Sequence, residues 1–261
     1  DAETRAAALR ARTRALPEEA LLVAAGTDES PLERSSAAVG LVAGGGGGEP
    51  ARAAVLGLAG DRGSETSVAL ARAIAAQPSP AFEEALLRLA DGESDAALVE
   101  VARAMGAVRR PRFLPALLGM LDRREVRSEA RAALLAFGDE GLAFLDAALG
   151  DRGMPVELRR QLPRTISLFA RGPAAAALER HLLEEPSGLV RYRILRGMNR
   201  LAAAPDVAFD PDLLRRATDA TLEGVFRVVH WRVVLERGAK EVPSRATAGH
   251  GLLVQLLRDK E

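Results

Sequence analysis

The chain contains no cysteine and few aromatic residues, and both shortages exclude classes of protein. Without cysteine there is no disulfide, no thiolate zinc site, no iron–sulfur cluster and no cysteine nucleophile. Phenylalanine, tryptophan and tyrosine make up 3% of the 261 residues, so close packing has to rely on small side chains such as alanine. The missing cysteine predicts a cytoplasmic location, which includes the cytosolic side of a membrane protein, although bacterial periplasmic proteins can also lack cysteine.

The chain also lacks an excess of charge and any long apolar run. It carries 36 basic and 36 acidic residues, so no overall field draws it to nucleic acid or anionic lipid. No apolar run approaches the roughly 20 residues that span a bilayer, while a hydrophobic content of 48% is too high for a disordered chain. Lysine occurs only at Lys240 and Lys260, so nearly all basic groups are arginines. We therefore expect a folded, soluble chain.

What the sequence does have is a repeat of about 32 residues. Apolar–arginine pairs recur at this spacing at Val126-Arg127, Leu158-Arg159 and Val190-Arg191. Apolar residues recur three and four positions apart, and no stretch shows sustained strand alternation, so we predict an all-α fold of about six helix pairs. The predicted second helices of the pairs are 31–43, 64–76, 94–106, 125–138, 156–170 and 188–202, and the first helices are 49–59, 79–90, 111–122, 140–150 and 173–185.

One second helix carries a distinctive pattern, Leu121-Asp122-Arg123-Arg124-Glu125-Val126-Arg127, followed by Ala130, Ala133, Leu134 and Gly138. This pattern resembles the second-helix signature of HEAT repeats, in which an Asp at the turn and a later Arg tie successive repeats together. Met154 and Pro186 stand where the Asp would recur, so we expect weaker ties there. The resemblance covers about 31–202 and implies an α-α superhelix, a HEAT-like solenoid whose pairs contact only their neighbours.

The regions outside the repeats are recognised by their loss of periodicity. Residues 1–30 predict an incomplete N-terminal repeat, 31–202 the HEAT-like repeats, and 203–261 a C-terminal cap or junction. In the last region, 213–236 predicts one longer capping helix, and the apolar run 225–235 within it predicts burial on more than one side. Neither a signal peptide nor an initiating Met is present, so we expect a fragment of a longer protein.

A second, looser resemblance concerns the last helices. It is carried by Leu189-Val190-Arg191-Tyr192-Arg193-Ile194-Leu195-Arg196-Gly197-Met198-Asn199-Arg200-Leu201, the long helix, and Leu253-Val254-Gln255-Leu256-Leu257-Arg258-Asp259-Lys260. These stretches are similar to the HEAT region of bacterial ATP/ADP-translocase-like transporters. The likeness implies a parent protein with a multi-helix membrane part, of which this chain is the cytosolic module. No nucleotide-binding or transport residue carries over, because those lie in parts absent from this chain.

Few residues fit a catalytic or metal-binding interpretation. Gly44–Gly48 predict a loop between helices, because a phosphate-binding loop needs a preceding strand and a following Gly-Lys-Ser/Thr. The histidines have no partner at metal-ligand spacing: His181 predicts a partly exposed surface residue and His250 a loop residue. The pair His230 and Trp231 predicts a tryptophan in the core beside a histidine whose hydrogen bonds are made within the fold. The alternative interpretation of this pair is a ligand pocket. We therefore predict no enzyme activity, no cofactor and no metal.

The arginines of two neighbouring second helices form the candidate binding surface. Spacings of three and four put Arg193, Arg196 and Arg200 on one side of their helix. They form either a basic stripe for an acidic peptide or phosphate, or ion pairs with carboxylates of neighbouring repeats. The candidate residues are Arg159, Arg160, Arg164, Arg191, Tyr192, Arg193, Arg196 and Arg200.

These features predict a non-catalytic HEAT-repeat scaffold that binds another protein or another domain of its own parent chain. A second hypothesis is a ligand-sensing or nucleic-acid-binding solenoid that uses the arginine stripe, although the neutral charge disfavours broad affinity for nucleic acid. A third hypothesis is an accessory subunit resembling the HEAT-like phycobilin lyases. It would need a partner subunit and a pigment pocket, and no feature of the sequence favours it.

Overall fold

Helices account for the regular structure of the described chain, which in this computed structural model comprises residues 4, 30–45, 47–61, 63–203 and 207–239. The predicted all-α class is confirmed for these residues. Short 3₁₀ turns, Pro80–Phe82 and Pro111–Phe113, lead into the helices that begin at Glu83 and Leu114. In chain order the helices are α1 (Pro31–Ala43), α2 (Gly48–Gly60), α3 (Ser64–Ala76), α4 (Glu83–Ala90), α5 (Asp95–Val108), α6 (Leu114–Met120), α7 (Arg127–Ala136), α8 (Asp139–Gly150), α9 (Val156–Arg159), α10 (Leu162–Ile166), α11 (Arg171–Leu182), α12 (Gly188–Ala202) and α13 (Pro211–Ala239).

Local signals fix where several of these helices begin. Pro31 stands in the first turn of α1, where its missing N–H costs no hydrogen bond. Ser94 and Ser187 cap α5 and α12, because each side chain accepts a hydrogen bond from the backbone N–H of the residue three positions later. The bounds of α1, α3 and α12 consequently agree with those predicted from the sequence.

The glycine run between α1 and α2 forms a turn that is shorter than predicted. Gly45 and Gly47 have positive φ angles of 76° and 74°, a conformation that glycine adopts without strain. A Cβ on Gly47 would also lie only 2.4 Å from Ala51 Cβ, so a larger residue does not fit. Gly48 already belongs to α2.

Helix packing follows the order of the chain. Contacts join helices that are not adjacent in the chain: α1 packs on α3, α3 on α5, α5 on α7, and α10 on α12. The other helices pack alongside these. Small residues bring the backbones close: a Cβ on Gly106 of α5 would lie 2.9 Å from Ala133 Cα of α7. The buried core that results is largely aliphatic, with Leu70, Ile74 and Val101 fully enclosed.

Arg127 and Arg191 each donate a hydrogen bond to a backbone carbonyl in the turn before their helix. Arg127 Nε donates to the carbonyl oxygen of Leu121 at 2.6 Å, and its Nη2 donates to that of Asp122 at 2.8 Å. Arg191 Nη2 donates in the same way to the carbonyl oxygen of Glu185 at 2.6 Å. The carboxylate of Glu185 also pairs with Arg152 and Arg159, so the expectation of a weaker tie at Pro186 was wrong. The same expectation at Met154 stays a prediction.

The predicted helix 156–170 is divided into α9 and α10. Pro163 has no N–H to donate, and its ring conflicts with the carbonyl four residues earlier, so it begins a new helix instead of continuing the old one. Between the two helices the amide of Gln161 bonds to the carbonyl oxygen of Leu158 at 2.9 Å, a tighter turn. The prediction of one continuous helix was wrong because apolar spacing continues across the proline.

The long helix α13 confirms the predicted length but not the predicted burial. Its first turns pack on the core through Leu213 and Ala217. Farther along, Phe226 and Trp231 are exposed, Trp231 by 57%, so the expected burial on several sides and the core tryptophan were both wrong. His230 is exposed beside it, with the two rings edge to face at 6.4 Å between centroids.

None of the described helices combines the length and the apolar content that crossing a membrane requires. The predicted N-terminal repeat at 1–30 lies outside the described residues except for Thr4 and Ser30. His250 and the rest of the predicted C-terminal region from 240 to 261 also lie outside them.

Candidate functional site

Charged side chains of α3, α5 and α7 form a ladder of ion pairs in which opposite charges compensate one another. Arg72 Nε of α3 donates to Glu100 Oε1 of α5 at 3.0 Å. Arg103 Nη1 donates to the other oxygen of Glu100 at 2.7 Å, and its Nη2 lies 3.6 Å from Glu129 Oε2 of α7. Positive and negative groups therefore alternate from α3 to α7.

The ladder loses its carboxylates after α7. Ala132, Arg164 and Arg196 stand at successive steps of about 32 residues from Glu100. Among the residues that the structure describes, neither Arg164 nor Arg196 forms an ion pair. At these two positions positive charge is thus left without a negative partner in the described chain.

Arg131 joins α7 to α10 through neutral partners. Its Nε donates to Thr165 Oγ1 and its Nη2 to Gln161 Oε1, both at 3.3 Å. Neither acceptor carries a charge, although the guanidinium is half-buried. Removing a charge from water without an opposite charge is costly, so this position favours an added anion.

Gly197 brings α12 against α10. A Cβ on Gly197 would lie 3.0 Å from the carbonyl oxygen of Pro163, so the backbones approach more closely than a side chain would allow. Arg193 and Arg200 flank Gly197 at spacings of four and three, which places them on neighbouring parts of the same helix face. Arg164 follows Pro163 directly, so the contact concentrates arginines at one junction.

Burial, together with the crowding of positive charge, lowers the pKa of two guanidinium groups. Burial first, and then the positive charge of Arg164 and other arginines, lowers the pKa of Arg131 to about 10. Partial desolvation, and then Arg164 and the arginines of its own helix, lowers the pKa of Arg200. We call Arg131, Arg164, Arg193, Arg196 and Arg200 the arginine cluster.

Of the other predicted residues, some hold helices together and others lie at the edge of the arginine cluster. Arg159 is only 2% exposed and pairs with the buried carboxylate of Glu185, so for this residue the ion-pair interpretation is correct. Arg191 is held by the carbonyl oxygen of Glu185, and the Nε of half-buried Arg160 has no hydrogen-bond partner. Tyr192 is exposed, and its ring lies 5.9 Å from the guanidinium of Arg196, a cation–π contact.

No family model and no curated protein matches this chain. The site therefore has to be judged from its own geometry. Across the described ranges, no group of three or more His, Cys, Asp or Glu side chains is arranged to hold a metal ion. His181 is buried, contrary to the prediction, because its Nε2 lies 2.8 Å from Asp146 Oδ1 in the preceding pair.

Arg131 is the member of the cluster that sequence reasoning missed. A signal was present, because Arg131 lies one helical turn after Arg127 in the repeat before the predicted stripe. The cluster consequently extends over three helices, α7, α10 and α12, where the sequence predicted two neighbouring helices.

Proposed function

We propose that this chain is a non-catalytic, HEAT-like interaction module that binds an acidic segment of a partner protein at the arginine cluster. The observation that carries the proposal is the end of the charge ladder. Glu100 and Glu129 neutralise the arginines of α3 and α5, whereas the arginines of α10 and α12 have no carboxylate partner among the described residues. A partner that supplies carboxylates would complete the alternation, which is how charge complementarity selects a binding partner.

The packing supports the HEAT-like part of this proposal. Helices contact near neighbours in the chain, as expected for stacked pairs that share a continuous core. Side-chain hydrogen bonds between successive pairs join residues 26 to 35 positions apart, which agrees with a repeat of about 32. Second helices stacked in this way present one extended face to a partner.

The acidic partner is either a separate protein or another domain of the same parent chain. The likeness of the last helices to the HEAT region of bacterial ATP/ADP-translocase-like transporters favours the second source. In that case the module is cytosolic and the arginine cluster holds an acidic segment of its own parent.

A nucleic-acid ligand is the weaker alternative. Single-stranded nucleic acid is bound by aromatic platforms along a basic groove, but the exposed ring of Tyr192 is already engaged by Arg196. The formal charge of the chain is zero, so the long-range attraction that drives non-specific binding is absent.

The test is the binding of a fluorescent oligo-glutamate peptide, followed by anisotropy at several salt concentrations. Replacing Arg193, Arg196 and Arg200 together by Gln should weaken binding at least about tenfold and flatten the salt dependence. The matched control replaces three exposed arginines outside the cluster, Arg52, Arg124 and Arg216, and should leave binding nearly unchanged. Equal losses in both triple variants would refute the proposal, because binding would then depend on charge alone. Preference for an oligonucleotide over the peptide would favour the alternative.

A further inference from the structure

The arginine cluster has an inner part that differs from its edge. Arg131 is half-buried, while Arg164 and Arg200 are exposed beside it. These three arginines come from α7, α10 and α12, and the positive charge of Arg164 acts on both Arg131 and Arg200. Arg196 belongs to the edge, because it lies over the ring of Tyr192.

Resting on the proposed function, we infer that Arg131, Arg164 and Arg200 form a seat for a phosphate dianion, carried by a phosphorylated serine or threonine of the partner segment. The first argument is charge. Arg131 bonds to Thr165, which is next to Arg164, and Gly197 of the helix that carries Arg200 lies against Pro163. No carboxylate of the described chain pairs with these three arginines. One carboxylate of a partner supplies a single negative charge, whereas a phosphomonoester supplies about 1.5 to 2 at neutral pH.

The second argument is geometry. A carboxylate is planar and is matched by the fork of one arginine, whereas a phosphomonoester has three acceptor oxygens in a tetrahedral arrangement. Arg131 is oriented in advance, because Thr165 and Gln161 accept from its Nε and Nη2. Its Nη1 is left to donate to a ligand, and the exposed Arg164 and Arg200 can approach the remaining oxygens.

The third argument is the local environment. The guanidinium of Arg131 is partly withdrawn from water and has only neutral partners, both at the long distance of 3.3 Å. Attraction between opposite charges strengthens as the surroundings become less polar. An anion therefore gains more at this position than at the exposed Arg196 of α12.

The experiment compares three peptides that differ at one central residue: Glu-Glu-Xaa-Glu-Glu with phosphoserine, aspartate or serine. We expect the phosphoserine peptide to bind at least about tenfold more tightly than the aspartate peptide. The preference should shrink as the pH is lowered from about 7.5 to 5, because the phosphomonoester takes up a proton near pH 6. Inorganic phosphate at the same ionic strength, as a competitor, should displace the phosphoserine peptide more effectively than chloride.

Variants assign the preference to the seat. Arg200→Gln should weaken binding of the phosphoserine peptide more than binding of the aspartate peptide, so that the preference falls below about threefold. Arg131→Lys should also weaken the preference, because an ammonium lacks the planar fork. Arg196→Gln is the control within the cluster and should retain the preference. Equal binding of the phosphoserine and aspartate peptides would overturn this inference and leave the proposed function intact. Failure of all three peptides to bind would overturn both.

Discussion

Glu185 offers a test of how the last helix pairs are held together. Its buried carboxylate accepts from Arg152 at 2.8 Å, from Arg159, and from the backbone nitrogen of Ser187 at 2.8 Å. Replacing Glu185 by Ala leaves the buried guanidinium of Arg159 without an opposite charge. Breaking such a pair costs about 3–5 kcal/mol, and the unpaired amide of Ser187 adds roughly 1 kcal/mol. We expect Glu185→Ala to lower the free energy of unfolding by about 4–6 kcal/mol.

Removing both charges of this pair should cost much less than removing one. In the double variant Arg159→Met, Glu185→Leu, apolar side chains of similar volume replace the pair, an exchange that is often neutral or stabilising. The exposed control is Glu84→Ala, which breaks the surface pair with Arg88, whose side chains are 54% and 49% exposed. Pairs of this kind contribute about 1 kcal/mol at most.

Urea denaturation followed by far-UV circular dichroism measures all three variants. The expected order of stability places Glu185→Ala well below both the double variant and the Glu84→Ala control. A loss for Glu185→Ala under about 1 kcal/mol, at an unchanged denaturant slope, would refute the reasoning, because the carboxylate would then behave like a surface charge.

Three further substitutions test other parts of the structure. Gly197→Ala should lower the free energy of unfolding by about 1–3 kcal/mol, because the added methyl group meets a carbonyl oxygen of α10. Gly57→Ala has open space around it and should raise the free energy of unfolding by roughly 0.5–1 kcal/mol. Urea titrations measure both variants. A hydrogen bond from Arg110 lowers the pKa of Glu83 below its ordinary 4.5, so this pair stabilises the fold at neutral pH and is lost as the pH falls below that value. The difference in melting temperature between the wild type and Glu83→Gln should accordingly shrink on acidification; a difference that does not vary with pH would contradict this. Arg200→Gln should stabilise by roughly 0.5 kcal/mol at low salt by relieving repulsion, and a gain that persists in concentrated salt would contradict an electrostatic origin.

The helix positions were largely predictable because their signals are local. Prolines in the first turn, serine caps and glycine turns act within a few residues, so they fix α1, α3 and α12 whatever the surroundings. Pro163 shows the opposite error. Its apolar neighbours keep helical spacing, but the hydrogen bond that it cannot donate ends the helix.

Burial was less predictable because it depends on what lies opposite a residue. The run from Val225 to Leu235 is apolar enough for a core helix, yet Trp231 and Phe226 are exposed, because in the described chain only the first turns of α13 pack on a neighbour. His181 shows the reverse case, since its partner Asp146 is a full repeat away.

The sequence predicted that arginines form the candidate site, but it did not predict which arginines belong to it. Arg159 and Arg164 are five positions apart and look equivalent in the sequence, but the break at Pro163 separates their environments. Arg159 points into the junction with Glu185, and Arg164 lies exposed beside the arginines of α12. Which arginine finds a carboxylate depends on contacts about 30 residues away, and no local pattern records them.

The charge ladder has a consequence for how such a chain can change in length. A duplicated helix pair inserted between α3 and α5 would carry its own arginine and its own acid, so it would meet an opposite charge on either side. A duplicate inserted next to α12 would bring further arginines against existing ones. We therefore expect an added helix pair to be compensated between α3 and α5 and repelled beside α12, so the charge pattern distinguishes the two ends of the described helices.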